Sequence, residues 1–99
     1  MSVEFEANIK WISNEAGGRL YPPLPGTRYY PLIKIRGCKN EDWSIVFICP
    51  DFKKNSKITF SFLVDSAPIE HIIAMRSYDL YEGNKKVATV LVEKKIVKT

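Results

Sequence analysis

Apolar and polar residues alternate from Val3 to Ile12. Val3, Phe5, Ala7, Ile9 and Trp11 share one face, and Glu4, Glu6, Asn8 and Lys10 share the other. A period of two is the pattern of a half-buried strand; a helix would scatter these residues around its circumference. The next stretch, Ser13 to Gly26, predicts a loop, because Gly17-Gly18 is followed by Pro22-Pro23 and Pro25-Gly26. A second strand is predicted over Tyr29–Arg36, with Pro31 marking an edge or a bulge near its start. Gly37 to Asp42 reads as a turn, Trp43 to Cys49 as a nearly all-apolar third strand, and Pro50 to Lys57 as a polar loop. Ile58, Phe60, Phe62 and Val64 alternate with Thr59, Ser61 and Leu63 and predict a fourth strand. Ile69 to Met75 fits either a short helical turn or an irregular strand. Ser77–Tyr81 and Lys86–Val97 form a last hairpin through Glu82-Gly83-Asn84, residue types that tolerate tight turns. Six or seven strands at this spacing predict an all-β fold, either a small closed barrel or a sandwich.

The length, 99 residues, allows one compact core and a single domain spanning 1–99. A formal charge of +4 permits an anionic partner without requiring one. The lysines fall in small groups, at Lys53, Lys54 and Lys57, at Lys85 and Lys86, and at Lys94, Lys95 and Lys98. Such groups also keep strand edges soluble. No apolar run is long enough for a membrane helix, and no basic start precedes an apolar stretch. The expectation is a soluble cytoplasmic protein without membrane association. Cys38 and Cys49 are too few for a disulfide scaffold and are expected to be reduced and mostly buried.

Candidate chemistry is sparse. The lone His71 has no nucleophile at a spacing that would place the two together. Glu4 and Glu6 share one strand face, which reads as a solvated face with no pocket around it. Two cysteines and one histidine do not make a metal site, and no G-x-x-x-x-G-K-[ST] loop is present to hold a nucleotide. The chain is therefore expected to be non-catalytic, with no cofactor, metal or bound nucleotide.

Three stretches together resemble a known family. Phe5-Glu6-Ala7-Asn8-Ile9 leads to Glu15-Ala16-Gly17-Gly18-Arg19, then Pro22, then Gly26-Thr27-Arg28. Ala67-Pro68-Ile69 and Leu80-Tyr81-Glu82-Gly83-Asn84-Lys85-Lys86-Val87 follow in order. This is similar to the C-terminal β-barrel domain (domain III) of the elongation factor Tu family of translation GTPases. There, F-x-A-x-V runs into E-G-G-R, a proline and G-Y-R, and the last hairpin carries R-E-G. The spacing agrees over nearly the whole chain. The sequence departs from the family at Tyr29-Tyr30-Pro31, where the family has Pro-Gln-Phe, and at Ala88-Thr89-Val90, where it has Gly-Ala-Gly.

The resemblance implies a six-stranded antiparallel β-barrel. With no GTPase domain in the sequence, it implies a protein that kept only the barrel, with an excised domain as the other option. It further implies a translation-related binding module contacting tRNA or rRNA through Gly18, Arg19, Glu82 and Gly83, with Arg28 and Lys85 nearby. Those glycines also suit plain turn geometry, and Arg19 also suits a bracing role. The alternative is a module that binds a translation factor or another protein without RNA. Its face would be the aromatic and proline-rich set Tyr21, Pro22, Pro23, Tyr29 and Tyr30, because tyrosine is favoured at interfaces.

Overall fold

The computed structural model describes residues 2–98. Its strands are β1 (Ser2–Trp11), β2 (Arg28–Tyr29), β3 (Leu32–Lys34), β4 (Asp42–Ile48), β5 (Lys57–Phe62), β6 (Ser77–Glu82) and β7 (Lys85–Lys98). Short 3-10 turns cover Asn14–Ala16 and Ile69–His71, so the ambiguous stretch Ile69 to Met75 takes the helical-turn option for a single turn. Every strand pairing is antiparallel. The order is β2-β4-β3-β6-β7-β1-β5, and a β4–β5 pairing closes six of these strands into a barrel, with β2 outside the ring. Of the two architectures open to the strand pattern, the closed barrel is the one formed.

The predicted strand over Tyr29–Arg36 is interrupted at Tyr30-Pro31, and the two pieces are β2 and β3. Both lie along β4 in one register: Arg28 opposes Ile48 and Tyr29 opposes Phe47, then Leu32 opposes Ser44 and Ile33 opposes Trp43. Proline has no N–H to give the ladder. Its carbonyl still accepts from the Ile45 N–H at 3.1 Å, so the edge continues through the gap.

The alternating face of β1 fills the barrel, with Phe5, Ala7 and Ile9 buried. Phe5 stacks on its cross-strand partner Phe60 at 5.3 Å between ring centroids. Ile33, Ile45, Phe47, Ile58, Leu80, Val90 and Val92 complete the core from the other strands of the ring. In β7 the alternation breaks. Leu80 opposes Ala88 while Tyr81 opposes Lys86, which leaves Val87 as an extra residue. That bulge is why Val87 and Ala88, adjacent in sequence, are both fully buried. A second bulge, at Glu93, falls where the β1–β7 register shifts between Glu6 and Ala7. Cys49 is buried and Cys38 half-buried, and both are free thiols. Among the described residues, no helix is long and apolar enough to cross a membrane.

Candidate functional site

The Gly17-Gly18 pair places Arg19, and its two glycines serve different needs. Ser13 caps the turn Asn14–Ala16, its hydroxyl accepting from the Ala16 N–H. Gly17 ends that turn at φ 93°, in the left-handed region that glycine enters without steric cost. Gly18 is needed for closeness: a Cβ there would sit 1.9 Å from the Ile12 carbonyl oxygen. The Gly18 N–H also donates to the Ser13 carbonyl at 2.8 Å. The loop is thereby folded back on the end of β1, and Arg19 is delivered to the last hairpin.

There Arg19 Nη1 donates to Glu82 Oε2, and the Tyr29 hydroxyl donates to the same oxygen. The Arg19 guanidinium also lies over the Tyr29 ring, 5.4 Å from its centroid. Its Nε donates to the Tyr21 carbonyl at 2.9 Å. The Tyr29 ring sits among Trp11 at 5.6 Å and Phe47 at 5.5 Å, and Trp11 in turn meets Phe52 at 5.3 Å. Three residues far apart in sequence thus form one clamp, based on an aromatic cluster.

The electrostatics follow from that arrangement. Burial pushes the Glu82 carboxyl up, but hydrogen bonds from Tyr29 and Arg19, with the charges of Arg19 and Lys85, outweigh it and hold the group below its ordinary value. Burial raises the Tyr29 phenol well above its ordinary value, and the Glu82 carboxylate raises it further. Burial disfavours the Arg19 charge, and Glu82 more than restores it, so the guanidinium is held still more firmly protonated. Arg19 and Glu82 neutralise each other, and their side chains keep only 32% and 34% exposure.

The remaining predicted positions fall into two groups. Gly83, at φ 60°, is the first central residue of the two-residue β6–β7 turn, the arrangement of a type II′ hairpin. Lys85 opens β7 and Arg28 opens β2, and both are exposed. The proposed tyrosine face divides. Tyr29 points into the clamp, while Tyr21 and Tyr30 are 71% and 55% exposed.

The sequence reading missed the aliphatic partners of that surface. Leu20 is 65% exposed and Leu24 is 76% exposed, beside Tyr21 on the same loop. Tyr21, the prolines, Leu24 and Phe52 line a mainly apolar hollow of about 270 Å³. The signal was available, since a leucine on each side of Tyr-Pro-Pro has no alternating partner that would bury it. No protein-family model matches the chain, and no curated protein matches it.

Proposed function

We propose that the chain is a non-catalytic binding module whose contact face for a protein partner is the loop 20–25 together with Tyr30. The observation that carries this reading is the set of large apolar side chains held in solvent at Leu20, Tyr21, Leu24 and Tyr30. Leu20, Tyr21 and Leu24 gather on one short loop, and exposed apolar groups of this size are characteristic of interaction sites. The loop is also pre-organised. Prolines at 22, 23 and 25 restrict φ, and the Gly26 N–H donates to the Cys49 carbonyl at 2.8 Å. Arg19 holds the Tyr21 carbonyl at the other end. A contact loop already fixed in shape loses little conformational entropy on binding. The motifs shared with the elongation factor Tu barrel support a partner in the translation machinery.

A second reading is RNA binding, favoured by the exposure of Arg28 and Lys85. It has lost its central cation, because Arg19 is already engaged by Glu82. Phosphate contacts release counterions and so weaken steeply with salt, whereas an apolar contact does not. The test compares the wild type with Leu24→Ser/Tyr30→Ser and with Arg28→Ala/Lys85→Ala, in lysate capture and in titration with bulk tRNA across a salt series. The protein reading expects a captured partner that survives moderate salt and is lost only with the first pair. Saturable tRNA binding that falls steeply with salt and is lost with the second pair would replace it with the RNA reading.

A further inference from the structure

At the opposite end of β6 from Glu82 lies a cleft of about 280 Å³. Lys34, Ile35 and Arg36 form one wall, Ser77, Tyr78 and Asp79 another, and His71, Ile73 and Arg76 the rim. Lys34, Arg36 and Arg76 thus bring three fixed positive charges to a space that holds one carboxylate, Asp79. That carboxylate is already occupied, by Lys86 at 3.1 Å and Arg36 at 3.6 Å. The Arg36 side chain is 71% exposed, so its long pair with Asp79 is weak and readily exchanged for a better anion. Lys34 meets Asp42 at 3.4 Å and the face of Tyr81 at 5.2 Å. None of the ion pairs among the described residues uses Arg76.

The segment carrying Arg76 is held in a strained shape. Met75 has φ 69°, a left-handed conformation that costs a residue with a Cβ about 1 kcal/mol or more. Two hydrogen bonds to β7 enforce it: the Met75 N–H donates to the Val92 carbonyl at 2.7 Å, and the Val92 N–H donates to the Arg76 carbonyl at 3.0 Å. The rim is braced as well, since the Tyr78 hydroxyl donates to the His71 carbonyl at 3.0 Å and accepts from the Ile73 N–H at 2.8 Å. Strain that surrounding bonds keep in place fixes the direction in which the chain presents the next side chain.

We propose that this cleft binds a phosphate group, as the free anion or as a small phosphate ester. Arg76 and Arg36 supply planar forks suited to phosphate oxygens, and Lys34 adds a point charge. The volume lies just under the range of pockets for drug-sized ligands, which favours a small ligand over a whole nucleotide. Ile73, 45% exposed, offers an apolar surface for the few carbons of an ester. This site is separate from the loop 20–25, and neither assignment depends on the other.

The test is a titration of the whole chain with inorganic phosphate and with glycerol 3-phosphate at constant ionic strength, followed by amide chemical shifts. Saturable binding is expected, with shifts confined to residues 34–36 and 71–79. Arg76→Ala, at an exposed position that leaves the barrel intact, is expected to weaken binding about tenfold or more. Arg76→Lys should recover part of it, and Lys53→Ala/Lys54→Ala should bind as the wild type does. Tighter binding of the ester assigns the cleft to phosphate esters, and equal affinity assigns it to free phosphate. Non-saturating shifts, shifts spread over all the lysine groups, or wild-type affinity in Arg76→Ala would each overturn the proposal.

Discussion

Arg19 and Glu82, 63 positions apart, are joined by a charge-assisted hydrogen bond that ties the first loop to the last turn of the barrel. Tyr29 completes the contact at the same carboxylate oxygen. The Gly17-Gly18 turn and the Glu82-Gly83 turn thus each contribute one side of a structural clamp. Removing one partner leaves the other half-buried without its counter-charge. Arg19→Ala and Glu82→Ala are each expected to cost about 1–2 kcal/mol, discounted for the partial exposure of both groups. For a chain of this size that corresponds to a fall in Tm of roughly 4–16 °C, checked by thermal unfolding. A double-mutant cycle should return a coupling of about 0.5–1.5 kcal/mol.

The clamp also sets two pH limbs of stability. Glu82 titrates below its ordinary 4.5 in the folded chain. Its stabilisation is therefore full above pH 4.5 and is lost as pH falls through the lower folded value. Tyr29 titrates above its ordinary 10.0, so its stabilisation is full below pH 10.0 and is lost as pH rises through the folded value. Urea unfolding across pH should show Glu82→Gln flattening the acid limb and Tyr29→Phe flattening the alkaline one. In the native protein the Tyr29 phenol should resist ionisation until the chain unfolds, as read by tyrosinate absorbance.

The glycines make a graded set. Gly18→Ala forces a methyl against the Ile12 carbonyl and is expected to cost about 3 kcal/mol or more. Gly17→Ala and Gly83→Ala meet open space and carry only the left-handed conformational cost, about 1–2 kcal/mol each. Denaturant midpoints for the three variants check the order. Equal effects would mean that the Gly18 approach is relieved by movement of the loop.

In the core, Phe60→Ala removes a ring that stacks on Phe5 and meets Phe62 edge-on. The expected cost is about 3–5 kcal/mol, enough to leave so small a barrel largely unfolded, and circular dichroism would register it.

The barrel was legible where local chemistry decides the matter. In β1 a strict period of two matches the burial of Phe5, Ala7 and Ile9, while Pro31, read as an edge or a bulge, instead divides its strand into β2 and β3. The bulge at Val87 was not legible, because an extra residue shows only against its partner strand. The clamp was half legible. Arg19, Tyr29 and Glu82 each stand out by motif or by residue type, yet nothing in a linear pattern says that they meet. Their contact depends on how far Gly18 lets the loop fold back on Ile12. Leu20 and Leu24 stand in a loop whose tyrosines and prolines dominate its pattern. The cleft at Arg76 is not legible for a related reason, since its cations come from β3, the loop after it and the loop before β6.

The most direct measurement compares partner capture by the wild type and by Leu24→Ser/Tyr30→Ser at moderate salt, with both proteins shown to be folded. A specific protein should be retained by the wild type and by Arg28→Ala/Lys85→Ala, and released by the apolar pair. Retention of that protein by the apolar pair, with release by the charge pair, would contradict it.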